Sequence, residues 1–259
     1  MFDAPATISA QTRLDRDFAR ALDPLALARD CGIIPDVKQG ELLTSASQRV
    51  LVNCTRQWGK STVAALICVH EALYRAPAMI ILVSPSQQQS CELFRKVVDF
   101  LAALPEAPKC EQETTQRLRL ANGSRVISLP GSERTVRGYS GATLVVIDEA
   151  ARVDDAMLAA VRPMLATRAE GRFIALSTPA GKRGWFYEFW THGEDWDRIE
   201  VKACNCPRIS PLFLKEEMSA LGPHRYAEEY ECQFLDPVTS CFNTQLLQEA
   251  LVDDFEIFI

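Results

Sequence analysis

The chain has 259 residues, 47% hydrophobic and 24% charged, a balance that excludes wholesale disorder and suits one large α/β domain, or one domain with a small appendage. No apolar run reaches the length of a membrane span, and Met1-Phe2-Asp3-Ala4-Pro5 lacks the basic-then-apolar pattern of a secretory leader, so a soluble intracellular protein is expected. A net charge of −6 argues against a protein that coats nucleic acid by bulk electrostatics, and nine cysteines without a repeated paired spacing read as reduced thiols.

Asp15 to Ala28 alternates apolar and charged residues at helical spacing around Pro24 and predicts one or two short surface helices. The segment Ile34 to Leu43 leads into another short helix. Within it, Gln39 can bond both a donor and an acceptor on one edge of adenine, or be a plain surface glutamine. The apolar run Arg49-Val50-Leu51-Val52-Asn53 is a strand, and Ser61 to Tyr74 is a helix. Between them lies Cys54-Thr55-Arg56-Gln57-Trp58-Gly59-Lys60-Ser61. A strand that turns into a helix through such a loop is the setting for phosphate binding: free N–H groups at the helix start meet the oxygens, and Gly59 permits close backbone approach. Lys60 can reach the β- and γ-phosphates, the Ser61 hydroxyl can ligate Mg²⁺, and Gln57, Trp58 and Thr62 complete the loop. A capped helix after a tight turn, binding nothing, would need the same local residues.

Ala78 to Val83 predicts a strand covered on both faces, and Ser86 caps a helix through about Leu104. Arg117–Leu120 and Arg125–Leu129 flank Asn122-Gly123 and predict a hairpin. Leu144-Val145-Val146-Ile147 is a strand ending in Asp148-Glu149, where Asp148 would hold Mg²⁺ through its water shell and Glu149 would polarise an attacking water. An acidic helix start accounts equally for those two residues taken alone. A helix follows from Asp154 or Asp155 to Met164. Arg172–Leu176 is a further buried strand ending in Ser177-Thr178, hydroxyls that either sense the γ-phosphate or hydrogen-bond within a loop. Trp185–Trp190 predicts an aromatic helix start in the core, and Arg198–Lys202 another strand. Helices are expected at Leu212–Leu221, His224–Phe234 and Asn243–Leu251. Cys204-Asn205-Cys206 is the one close cysteine pair, too little for a metal site. Arg134, Arg137, Arg162, Arg168, Arg172, Lys182 and Arg183 are candidates for a local basic track or for plain solvated surface.

Taken in order, these motifs resemble the ATPase domain of the large terminase subunit, the motor that packs DNA into tailed-phage and related viral capsids. The resemblance runs from Pro35 to Pro237 through Arg56–Ser61, Arg137-Gly138, Leu144–Ala151, Leu176–Tyr187, Cys206–Ser210 and Glu229–Phe234. It implies a P-loop NTPase of the RecA/ASCE type: a mainly parallel α/β sheet flanked by helices, with a small helical C-terminal lid region. The expected parts are an N-terminal lead-in with the adenine-reading segment (1–48), an ATPase core (49–205) and a helical subdomain (206–259). In the family pattern Gln39 reads adenine, Arg56 is the phosphate-loop arginine, Ser177 and Thr178 couple hydrolysis to movement, and Arg137 is an arginine finger. ATP and Mg²⁺ are the implied cofactors. Implied partners are double-stranded DNA, a portal protein, a small terminase subunit and further copies in a working ring, with a monomer possible in isolation and no membrane. The implied location is the bacterial host cytoplasm, at the capsid portal.

Family members usually continue into a nuclease domain, and about twenty residues follow Asp236, so no nuclease activity is expected from this chain. A helicase-like translocase, or an ATP-binding regulatory subunit with little turnover, are the alternative readings.

Overall fold

The structure, a computed structural model, describes residues 10–130 and 138–236. Eight strands among these residues form one sheet: β1 (Arg49–Cys54), β2 (Met79–Ser84), β3 (Cys110–Glu113), β4 (Arg117–Leu120), β5 (Arg125–Pro130), β6 (Leu144–Asp148), β7 (Arg172–Ser177) and β8 (Asp197–Val201). Their order is β3-β4-β5-β2-β6-β7-β1-β8. From β5 to β8 every pair is parallel, and β4 is antiparallel to both its neighbours. The predicted hairpin is β4–β5, with Gly123 at a φ of 84° in its turn. β3 was not predicted: all four of its residues are exposed, so no buried face imposes an alternation that could be read.

Strand alternation divides the core between the two faces. Val50 and Val52, Ile80 and Leu82, Leu144 and Val146, and Ile174 and Leu176 face one layer, which holds α4 (Lys60–Tyr74) and α5 (Gln87–Ala102). Leu51, Ile81 and Val83, Val145 and Ile147, and Phe173 and Ala175 face the other, which holds α6 (Asp155–Val161) and α7 (Gly184–His192). In that second layer Trp185 and Trp196 meet Phe173 edge-on, Phe186 and Phe189 meet Trp185 edge-on, and Phe189 stacks on Trp196, as expected of core aromatics. Helices α1 (Ala10–Leu22), α2 (Pro24–Asp30) and α3 (Val37–Thr44) lie on the α4 side, with Leu27, Leu42 and Leu43 buried in the first layer.

Two helix ends differ from expectation. The helix expected to reach Met164 stops at Val161 and continues as a 3₁₀ turn over Arg162–Leu165, because Pro163 cannot donate to an α-helical ladder. The last described helix, α8 (Pro211–Tyr230), breaks at Gly222 before Pro223 and ends four residues ahead of Phe234. There Cys232 adopts a φ of 59°, and its carbonyl accepts from Asn53 Nδ2 at 2.8 Å, so the chain exchanges helical bonds for bonds to the end of β1.

Candidate nucleotide-binding site

The parallel strands β1, β6 and β7 deliver the candidate residues at their carboxyl ends, where ligands of open α/β sheets collect. β7 lies between β1 and β6, with Asn53 in register with Ser177 and Asp148 with Leu176. The phosphate-loop candidate and the acidic strand end therefore face each other across the width of one strand.

Within the loop, Gln57 and Gly59 take positive φ values of 60° and 91°, and Gly59 is the N-cap of α4. Glycine suits this left-handed cap, and an added Cβ would stand 3.1 Å from Gln39 Nε2. Thr62 N donates to Gly59 O at 3.0 Å, so the first turn is formed while the preceding N–H groups of the helix start have no helical acceptor.

Lys60 Nζ pairs with Glu149 Oε1 at 2.8 Å, and Ser61 Oγ donates to Asp148 Oδ2 at 2.8 Å. The four residues named from two distant motifs thus form one cluster. Asp148 is 5% exposed, and its other oxygen accepts from Glu149 N at 3.0 Å. Burial raises its pKa and outweighs the lowering by Lys60; Glu149 adds to the rise. For Lys60, burial lowers the pKa, but the nearby carboxylates, Glu149 above all and then Asp148, prevail and the net shift is upward. Glu149 itself sits at φ 55°, ψ 42°, a left-handed conformation uncommon for a non-glycine residue and often found at active sites.

Ser177 and Thr178 brace the turn that carries Glu149. The Ser177 hydroxyl accepts from Ala151 N at 3.1 Å and donates to Thr178 O at 2.6 Å, while Thr178 Oγ1 accepts from Arg152 Nη1 at 2.9 Å. Arg152 also pairs with Glu149 Oε2 at 3.0 Å.

Residues 52–249 match the family described as terminase large subunit, T4likevirus-type, N-terminal. The chain belongs to that family. The terminase large subunit of Thermus virus P23-45 is 31% identical over 181 residues, a match that covers 62% of this chain and 37% of that relative. The chain thus spans well under half the length of the curated relative. Among solved structures, the large terminase ATPase domain of Thermus phage P74-26 superposes with a TM-score of 0.72 at 22% identity, covering 80% of this chain and 97% of that one. The large terminase of another thermophilic bacteriophage, in complex with ADP, gives 0.65 at 10% identity over 77% and 53% of the two chains. The terminase ATPase-domain fold, of the P-loop NTPase type, is therefore the fold of this chain.

Two members of the terminase pattern are tied into the loop's support. The Trp58 side chain is fully buried, and its Nε1 donates to Asp36 Oδ2 at 3.1 Å. Gln39, 4% exposed, caps its own helix: Asp36 N donates to Gln39 Oε1 at 3.0 Å, Gln39 N to Asp36 Oδ1 at 2.8 Å, and Gln39 Nε2 to Trp58 O at 2.8 Å. One N–H and one lone pair of its amide are left for another partner. Arg208 also donates to Asp36 Oδ2, at 2.8 Å, and to Trp58 O. Asp36, Arg208, Arg152 and Glu229 are the residues that sequence reasoning did not single out. The first had a legible signal, the Asp-x-x-Gln spacing of a capping box.

Arg56 is exposed and pairs with Glu229 at 3.1 Å. Of the basic-track candidates, Arg172 is corrected: it is 9% exposed and donates to Ser47 O and Ser45 O, so it holds the entry to β1 and offers no surface charge. Lys182 pairs with Asp236 at 3.0 Å. Arg134 and Arg137 lie outside the described residues, as does the helix expected at Asn243–Leu251. Among the described residues no three His, Cys, Asp or Glu side chains group as a metal site, and no helix is long and apolar enough to cross a membrane.

Proposed function

We propose that this chain binds ATP with Mg²⁺, hydrolyses it, and serves as the motor domain that drives double-stranded DNA into a viral capsid. The convergence of Lys60, Ser61, Asp148 and Glu149, through two 2.8 Å contacts, carries the reading. The donor set fits Mg²⁺: a hydroxyl and a carboxylate oxygen already in contact are hard ligands, and this ion keeps waters and substrate phosphates for its other positions. A buried Asp148 whose charge is penalised by desolvation is the kind of group that a bound cation relieves. Ser61 and Asp148 would hold the ion, which when bound neutralises charge on the β- and γ-phosphates.

The chain's own residues divide the remaining work. Lys60 transfers its positive charge from Glu149 to the phosphate oxygens as ATP enters, and this frees the Glu149 carboxylate. Glu149 then accepts a proton from a water whose oxygen attacks the γ-phosphorus, while the bond from that phosphorus to the bridging oxygen breaks and its electrons stay with ADP. The products are ADP and inorganic phosphate. Gly59 and the start of α4 cradle the phosphates, with Gln57, Trp58 and Thr62 shaping the loop. Gln39 reads adenine with its spare N–H and lone pair, Arg56 draws on the phosphates, and Arg137 supplies charge to the transferring group. Ser177 and Thr178 relay loss of the γ-phosphate. The working assembly is a ring on a portal with a small terminase subunit, in the host cytoplasm.

Phosphate release by the purified protein, with and without duplex DNA, tests this. ATP-dependent turnover stimulated by DNA and abolished by Glu149→Gln is the expected result. No turnover in any DNA-bound state would favour a regulatory subunit, and unwinding of a forked duplex a helicase-like translocase.

A further inference from the structure

Five side chains of alternating charge form a circuit that leaves the phosphate loop and returns to it. Lys60 Nζ meets Glu149 Oε1 at 2.8 Å; Glu149 Oε2 meets Arg152 Nη1 at 3.0 Å; Arg152 Nη2 lies 3.8 Å from Glu229 Oε1; and Glu229 Oε2 lies 3.1 Å from Arg56 Nε. Lys60 and Arg56 are both loop residues, four apart. Glu149 lies beyond β6, and Glu229 in the last turn of α8.

The circuit holds three cations against two carboxylates, and its inner members are well covered: the Lys60, Glu149 and Glu229 side chains are 15%, 19% and 18% exposed. A polyphosphate in the loop competes for Lys60 and for Arg56, and so removes one partner from each carboxylate. A partly buried carboxylate that loses its counter-charge is costly, so each must be compensated by another cation. Among the described residues, Arg152 is the cation in contact with both. It is also tied to the residue that follows β7, because Arg152 Nη1 donates to Thr178 Oγ1 at 2.9 Å. Its 3.8 Å approach to Glu229 is the loosest link of the four and has room to shorten.

We infer that Arg152 is a positioning residue that keeps Glu149 in place when Lys60 leaves it, and that its pairing with Glu229 passes the state of the nucleotide site to the end of α8. Arg152 holds Oε2 of Glu149, so release of Lys60 exposes Oε1 while the carboxylate stays anchored. Without Arg152, Glu149 would follow the departing ammonium. Glu229 is well placed to transmit the change, since its carbonyl accepts from Arg56 N at 3.2 Å and from Thr55 Oγ1 at 3.3 Å, joining the helix end to the loop. The residues on either side of it also reach the β7–α7 connection: Gly181 N donates to Glu228 Oε1 at 2.7 Å and Lys182 N to Leu235 O at 3.2 Å. This inference rests on the proposal that the site hydrolyses ATP.

The test compares wild type, Arg152→Ala, Arg152→Lys and Glu229→Gln by steady-state phosphate release, binding of ATPγS, and hydrogen exchange over residues 224–236 with and without ATPγS. Misplacement of a catalytic group by about 1 Å can cost around 10²-fold in rate, so Arg152→Ala is expected to lower kcat by about 10- to 100-fold while ATPγS affinity stays within about threefold. Arg152→Lys should recover part of the rate. Glu229→Gln should hydrolyse ATP but lose the nucleotide-dependent change in exchange at 224–236. An active wild type with Arg152→Ala equally fast, or with exchange at 224–236 indifferent to ATPγS in wild type, overturns the inference alone. A wild type that binds no ATPγS overturns the underlying proposal, and the inference with it. Matching melting temperatures among the variants exclude unfolding as the cause.

Discussion

One carboxylate, that of Asp36, ties the phosphate loop to the start of α3 and to Arg208. Its Oδ1 accepts from Gln39 N and caps α3, and its Oδ2 accepts from the indole of the fully buried Trp58 and from Arg208. Asp36→Ala removes a helix cap, leaves a buried indole N–H without an acceptor, and breaks a partly exposed ion pair. Those losses are worth about 1, 1–3 and 0–1 kcal/mol, and because one carboxylate serves all three the expected total is about 2–4 kcal/mol. For a chain of this size that lowers the melting temperature by roughly 4–15 °C. Asp36→Asn keeps the cap but presents an amide to two donors, so it should fall between wild type and alanine. Urea denaturation followed by tryptophan fluorescence measures the cost, and ATPγS titration measures its effect on the loop, whose affinity should fall in the same order. Alanine and wild type agreeing within about 0.5 kcal/mol would refute the assignment of Asp36 as the loop's anchor, since that is the range of a surface change.

Two further outcomes follow from the same geometry. Gly59→Ala places a side chain at φ +91°, with its Cβ 3.1 Å from Gln39 Nε2; a stability loss of about 1–2 kcal/mol and loss of ATPγS binding are expected, and an unaltered affinity would contradict the close-approach role. Because burial raises the pKa of Asp148, its charge is penalised at neutral pH and that penalty is relieved as pH falls through the raised value, so mild acid does not destabilise the free protein through this group. Protonation does remove the charge that would hold Mg²⁺, so Mg²⁺-dependent ATPγS affinity should decline at a pH above the ordinary aspartate range, with Asp148→Asn showing no such decline.

The central strands and the two acidic and basic motifs were legible because each is a short apolar run that ends in the residues of interest. Long-range pairing was not. Glu149 and Arg152 stand at the i, i+3 spacing of a helical turn, so their contact could have been read locally. The approach of Glu229 to Arg56 and Arg152 depends on where α8 ends, and that is set by Asn53 and Cys232, about 180 residues apart in the chain. The burial of Arg172 was likewise hidden, because its acceptors are backbone carbonyls of a distant loop. β3 escaped notice for the opposite reason, having no buried side chain to pattern.

The measurement that bears most directly on a single pocket built from Lys60, Ser61, Asp148 and Glu149 is the calorimetric affinity for ATPγS with Mg²⁺ against the same titration in EDTA. Wild type should bind at least about tenfold more tightly with Mg²⁺, and Asp148→Asn should abolish that difference, as expected if Ser61 and Asp148 hold the ion that accompanies the nucleotide. Lys60→Ala should weaken binding under both conditions. Tight binding that is indifferent to Lys60→Ala and to Asp148→Asn would contradict the account.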